Sequence, residues 1–408
     1  MFEQTAIITY SFLAAGLALA ALAARRPAAF TRRSLKRGAL ALITAAFAAS
    51  GAHAQTATTG GAAATSNSIN LSGTSRVYVA DYNGNRVRVF DPNSSANAGT
   101  PYVGSIPVGT NPFGMAASPD GRRLYVACSG SNNVYTIDTR TNQIMFPPVQ
   151  VGAYPIHVAV APKGDCIFVT SFYGNSVTAI NVSNSTTPTV EKTLTVDWKP
   201  IAVAVKPGGR YLYVSQYENQ QVKVFDIQND YAEADNFFTG EMGATQPIFI
   251  TFTADGKRAF VANEGGGPNA GGTVSFVRTE NAHDNEVTQT LALPYHHLPR
   301  GQMALSSNAR HLYVPGAGEG KLLTIDTLTG TILDPQNHIY SAPHGVAMSP
   351  DGARLFVSIE GNLLSTVDTG LLATPGKSAV THETFVTPEV PGGTLFLQVV
   401  YVNTPTCP

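Results

Sequence analysis

The sequence predicts an all-β protein, a seven-bladed β-propeller built of four-stranded antiparallel blades. Three observations predict it. A phrase of about 45 residues returns seven times, each copy alternates apolar and polar positions with period two, and the composition is rich in chain-turning residues but poor in charge. The 408 residues include 38 Gly and 26 Pro, 43% are apolar and only 13% are charged. Long amphipathic helices need more charge than this, and a disordered chain would lack this much apolar surface.

The first 54 residues read as an export signal rather than as fold. Two apolar stretches, Ala6–Ala24 and the run ending at Ala54, flank the basic patch that carries Arg25, Arg26, Arg32, Arg33, Lys36 and Arg37. Ala52 and Ala54 around His53 satisfy the small-x-small rule for cleavage before Gln55. The piece from Leu35 onward is a complete signal by itself, which suggests an upstream start-site artefact in 1–34. Residues 55–75 are Thr-, Gly-, Ala- and Ser-rich and read as a flexible linker. Residues 76–408 then form a single propeller domain.

Charge narrows the function. The whole chain carries a net charge of −1, and loss of the signal removes six basic residues and one acidic residue, leaving −6. An acidic exported chain has no electrostatic case for nucleic acid or anionic lipid, and no stable membrane insertion is expected once the signal is cleaved. The expected location is periplasmic or secreted, and the expected state is a monomer. Three cysteines are too few for a disulfide framework. Cys128 and Cys166 fall near opposite faces of the ring, and Cys407 lies in the terminal tail.

The repeat is visible in "NPFGMAASPDGRRLYVACSGSNNVYTIDT" and five later copies, with an incomplete first copy "SRVYVADYNGNRVRVFD". Its aromatic marker falls at Tyr78, Tyr125, Phe168, Tyr213, Phe260, Tyr313 and Phe356, with gaps of 47, 43, 45, 47, 53 and 43 residues. Pro and Gly in "SPDG" at Ser118–Gly121 and Ser349–Gly352 specify tight hairpin turns. Four strands in such a period is the arithmetic of a propeller blade. The first copy lacks its leading strand, and the run Leu395–Val402 is the candidate to supply it and so close the ring.

The "LYV" strands, the "SPDG" turns and the "NNVYTIDT"-like third strands resemble the YVTN family of seven-bladed propellers over about residues 76–370. That resemblance implies the fold and leaves the function open.

Topology sorts the candidate residues. The loop after the second strand and the start of the innermost strand share one face, here the top face. Most of these positions are small or apolar, so His157, Arg300, His344, Glu264 and Glu360 stand out and are expected near the mouth of the central channel. Asp81 and Tyr217 occupy the same loop column as Glu264 and Glu360. His157, Tyr217, Glu360 and Asp81 are therefore candidate ligand contacts. The longest loops, Glu264–Gly272 and Pro294–Pro299, extend the same face at the fifth blade.

Three functions follow as expectations. The first is an exported binding or scaffold module using its top face and channel for a small molecule or a protein. The second is a hydrolase, because "HHLPRGQMALS" and "APHGVAMSPDG" are similar to segments of the propeller lactonase family. That resemblance implies Arg300 on the carbonyl oxygen or a carboxylate, and Glu264 or His344 as general base. The third is an accessory protein of a periplasmic quinone or copper redox system. No cofactor is expected, although His157, His296, His297 and His344 are ligand types that suit copper or another divalent metal. No nucleophile elbow, phosphate-binding loop or haem-attachment motif is present in the sequence.

Overall fold

The computed structural model describes residues 75–92, 102–183, 187–240, 246–265, 271–294, 298–299, 301–316, 320–333, 342–359, 363–372, 380–385 and 396–403. All lie in the unit Asn67–Pro408. The described residues form seven antiparallel sheets and no helix.

Blade 1 joins Phe396–Asn403, Ser75–Asp81, Arg86–Phe90 and Tyr102–Pro107, from the axis outward. Ser75 pairs Asn403 and Tyr78 pairs Val400, so the C-terminal run does supply the innermost strand of the first blade. Blade 2 holds Pro112–Ala117, Arg123–Cys128 and Asn133–Asp138, with an outer strand split into Gln143–Ile144 and Val149–Gln150. Pro147 and Pro148 lie in that break, where a residue without an N–H cannot extend the ladder. Blade 3 is Pro155–Val160, Cys166–Ser171, Ser176–Asn181 and Thr189–Thr195. Blade 4 is Pro200–Val205, Tyr211–Gln216, Gln221–Asp226 and Ala232–Phe238. Blade 5 is Gln246–Phe252, Arg258–Glu264, Thr273–Arg278 and Glu286–Ala292. Blade 6 is Ala304–Leu305, His311–Gly316, Lys321–Asp326 and Thr331–Ile332. Blade 7 is Pro343–Met348, Arg354–Ile359, Leu363–Asp368 and Val380–Phe385.

Period-two alternation does not carry through every strand. The second strand of each blade is buried almost end to end, as in Arg123–Cys128, because each of its faces packs on a neighbouring blade. Tyr78 and Val89 of blade 1 share a core with Met115 and Leu124 of blade 2. Tyr125 of blade 2 packs with Ile167 and Val169 of blade 3, and Phe168 of blade 3 packs with Leu212 and Val214 of blade 4. Blade 7 contributes Phe356 and Leu364 to a core with Val77 and Phe90 of blade 1. The seven repeated aromatics are 0–2% exposed, so the sequence marker is the inter-blade core itself. Truncating one such ring costs about 3–5 kcal/mol.

The hairpin turns form as the sequence specifies. Gly121 N–H donates to the Ser118 carbonyl at 2.8 Å, and Gly121 takes φ +67°. The Ser118 hydroxyl also donates to Asp120 at 2.5 Å, and together with the Arg122 N–H this holds the Asp120 carboxyl below its usual range against the opposing effect of burial.

A second device fixes the top face. The side-chain oxygens of Asn85, Asn132 and Asn175 accept from the backbone N–H of Asn111 (2.9 Å), Tyr154 (2.8 Å) and Lys199 (3.0 Å). Each accepting Asn opens one blade's third strand, and each donor precedes the first Pro of the next blade. The donors all adopt left-handed backbone, at φ +54°, +59° and +53°.

Candidate functional site

The innermost strands are irregular at their top ends. Register shifts fall between Pro112 and Met115, Pro200 and Val203, Pro247 and Phe249, and Pro343 and Gly345. In blade 3 the shift lies where Thr170 pairs His157 but Ser171 pairs Pro155. Such bulges re-aim side chains. Beside these bulges lie the half-buried residues Phe113, His157, Ile201, Phe249 and His344. Among these five described residues three are apolar and two are imidazoles.

His157 is held tightly. Val203 N–H donates to its Nδ1 at 3.4 Å, and its ring meets the edge of Phe249 with centroids 5.7 Å apart. Nδ1 is thus the acceptor, so the neutral ring carries its proton on Nε2. Burial pushes the His157 pKa down to about 4.

Tyr217 and Glu264 are brought together. The Tyr217 hydroxyl donates to Glu264 Oε2 at 3.2 Å, linking the loop after the second strand of blade 4 to the equivalent position of blade 5. Next to them Lys199 Nζ donates to Glu218 Oε1 at 2.6 Å. His344 is placed from another side. Gly301 packs so closely on the His344 carbonyl that a Cβ there would collide with its oxygen, and Gln302 pairs with Gly345 in parallel.

Asp81 is completely buried. Its carboxylate accepts from Arg88 Nε at 2.7 Å and from the Gly84 N–H at 2.9 Å, and Arg88 is itself 2% exposed. This pair ties the first hairpin together. Arg300, Glu360, His296 and His297 lie outside the described residues. Among the described residues no three His, Cys, Asp or Glu side chains are grouped closely enough to hold a metal ion. Cys128 and Cys166 are free thiols, and burial pushes both up to about 12.

Sequence reasoning missed a cluster of aromatic rings on this face in blades 1 to 3. Tyr82 meets Phe113 edge-on at 6.1 Å, and its hydroxyl lies 3.2 Å from that of Tyr154. Tyr154 in turn packs on Tyr173 at 4.9 Å, and Tyr173 on Phe172 at 5.0 Å. Lys199 Nζ sits 5.7 Å from the centre of the Phe172 ring. The signal existed in "DYNGN", "SFYGN" and "QYENQ", where the loop after the second strand repeats an aromatic residue.

Solved structures place this architecture among known ones. A periplasmic gluconolactonase from Pseudomonas aeruginosa superposes with a TM-score of 0.62 at 18% identity, over 81% of this chain and 99% of that one. The chain shares the fold of a propeller gluconolactonase. A putative 6-phosphogluconolactonase from Bacteroides fragilis matches equally, with a TM-score of 0.62 and 18% identity over 84% of this chain and 100% of that one. A hydrazine synthase structure from Kuenenia stuttgartiensis matches with a TM-score of 0.56 and 20% identity, over 64% of this chain and 79% of that one. At these identities the likeness is one of fold. A protein-family model described as the choice-of-anchor I domain matches residues 156–296, so the family model that matches is not that of the YVTN repeats. No curated protein matches the chain.

Proposed function

We propose that the protein is an exported, periplasmic binding module of YVTN-like build that takes a small polar ligand on its top face. The observation that carries this is the Tyr217–Glu264 hydrogen bond, which joins two blades at the same level as the Lys199–Glu218 pair. Lys199, Glu218 and Glu264 offer a donor and acceptors, Tyr217, itself only 4% exposed, braces Glu264 from the neighbouring blade, and aromatic rings lie beside them, the mix that orients a small ligand. The rigid ring keeps them in place without cost at the moment of binding. The apparent signal at 1–54 and the acidic mature charge support the location. Calorimetric titration with gluconate, cellohexaose and chitohexaose tests the reading. Saturable heat that Glu264→Gln removes supports it, and no heat with any of them refutes it.

A lactonase-like hydrolase is the second reading. The closeness of Gly301 to His344 favours it, because it fixes the chain next to Arg300 against the one other candidate base. In that reaction water adds to the lactone carbonyl carbon, and the ring C–O bond breaks. Glu264 or His344 would take the water's proton and return it to the departing alcohol oxygen, while Arg300 would face the oxyanion. Titration of released acid from D-glucono-1,5-lactone separates the readings. Turnover above the spontaneous rate that Arg300→Ala abolishes favours the enzyme, and a flat trace favours the binding module.

A further inference from the structure

We infer that Trp198 and Tyr173 form a stacking platform for a neutral pyranose ring of glucose or N-acetylglucosamine configuration; this rests on the top-face binding reading and names its ligand class. Trp198 is 51% exposed and Tyr173 is 46% exposed. Their loops are locked to one another. Lys199 N–H donates to Asn175 Oδ1 at 3.0 Å, and the Lys199 ammonium lies over Phe172. Tyr173 is braced from behind by Tyr154 and Phe172, so its orientation is fixed while nearly half of it stays in water.

The backbone at Trp198 departs from the repeat. In blades 2 and 3 only the residue before the first Pro is left-handed, at Asn111 and Tyr154. In blade 4 the preceding residue is left-handed as well: Trp198 has φ +71°, followed by Lys199 at +53°. A bulky L-residue rarely adopts this region, and it persists only where its surroundings impose it. Here Trp198 is held by its carbonyl, which accepts from Glu218 N–H at 3.2 Å, and by the latch on Lys199. The strain does not bury the indole. It holds the indole outward.

The chemistry around the rings selects the ligand. A pyranose with equatorial hydroxyls shows apolar C–H groups on its faces and hydroxyls on its rim. Its faces match flat aromatic surfaces, and its rim matches the adjoining Lys199–Glu218 pair, which supplies a donor and an acceptor. Cation and anion are matched there, so the rim of the platform suits an uncharged ligand. Two rings set among polar loops are also far below the roughly 800 Å² per partner of a stable protein interface. Other exposed apolar residues, such as Val190 and Leu328, sit on an outer strand and on an opposite-face turn.

Trp198 is the only tryptophan in the chain, so its emission reports on the platform directly. The experiment titrates the mature protein with cellohexaose and chitohexaose, following fluorescence and heat together. The expected result is a saturable blue shift with at least one of them. Affinity should fall at least tenfold in Trp198→Ala and in Tyr173→Ala, with unchanged circular dichroism, and be partly kept in Trp198→Phe. Emission unchanged by both sugars overturns the platform. Affinity kept in Trp198→Ala but lost in Glu264→Gln also overturns it while leaving the top-face reading intact. Absence of heat with both sugars and with gluconate overturns the two together.

Discussion

The Arg354 guanidinium donates to the Pro92 carbonyl at 2.5 Å, across 262 positions of sequence, and so bonds the last blade to the first. The same reach recurs inside the ring. Arg123 donates to the Val182 carbonyl of the next blade at 2.6 Å, and Arg258 to the Thr327 carbonyl at 3.2 Å. These are bonds from a charged donor to a backbone oxygen, worth about 1.5–3 kcal/mol when shielded from water. Such Arg ties join blades 7 and 1, 2 and 3, and 5 and 6 on the lower side, while Asn latches join blades 1 to 4 in succession on the upper side.

Ring closure therefore has two separable parts. Arg354→Ala removes the lower tie and should lower stability by about 1–2 kcal/mol, with the fold kept. Deleting residues 396–408 removes the closing strand, exposes the edge of Ser75–Asp81, and uncovers part of the blade 1 core. That variant should aggregate or lose cooperative unfolding. Urea melts and light scattering check both. Equal, small effects from the two changes would show that the closing strand contributes little.

The hairpin of blade 6 carries a mismatch that can be relieved. Where blades 2, 5 and 7 place Gly121, Gly256 and Gly352 at positive φ, blade 6 places Ala309 at φ +55°. The turn is otherwise intact, with Ala309 N–H donating to the Ser306 carbonyl at 2.7 Å. Glycine removes the steric penalty but loses more entropy on folding, so Ala309→Gly should stabilise by about 0.5–1 kcal/mol. Thermal melts check the sign, and destabilisation would contradict it.

His157 predicts a loss of stability on mild acidification. Its folded pKa is depressed to about 4 by burial, while an unfolded histidine titrates near 6.5. As pH falls below 6.5 the unfolded chain binds this proton first, so stability falls from pH 6.5 to 4 and levels off below that. The shift corresponds to about 3 kcal/mol for a dry site, and the half-buried position at the channel wall brings this to about 2 kcal/mol. His157→Leu should lose less stability between pH 7.5 and pH 4.5 than the parent in urea unfolding. An identical pH dependence would remove His157 as its source.

How much of this was legible depends on range. The ring was legible because blade count, turn chemistry and the aromatic marker repeat along the chain, and repetition averages out local ambiguity. Closure was legible because blade 1 lacked a strand and Leu395–Val402 was left over. Tyr217 and Glu264 were legible as members of one loop column. The left-handed backbone at Tyr154, Trp198 and Lys199 was not, because no residue there is Gly or Asn to announce it. The burial of Asp81 was also missed. It depends on Arg88 crossing the first hairpin, a cross-strand relationship that a column read along the repeats does not show.

The central claim is that the top face between blades 4 and 5 binds a small ligand through Glu264, held in place by the buried Tyr217. Calorimetry of the parent and of Glu264→Gln against gluconate, cellohexaose and chitohexaose tests it most directly. The account predicts saturable binding of at least one of these to the parent and a loss of at least tenfold in the variant, with thermal stability unchanged. Equal affinity in both proteins, or no binding by the parent, would contradict it.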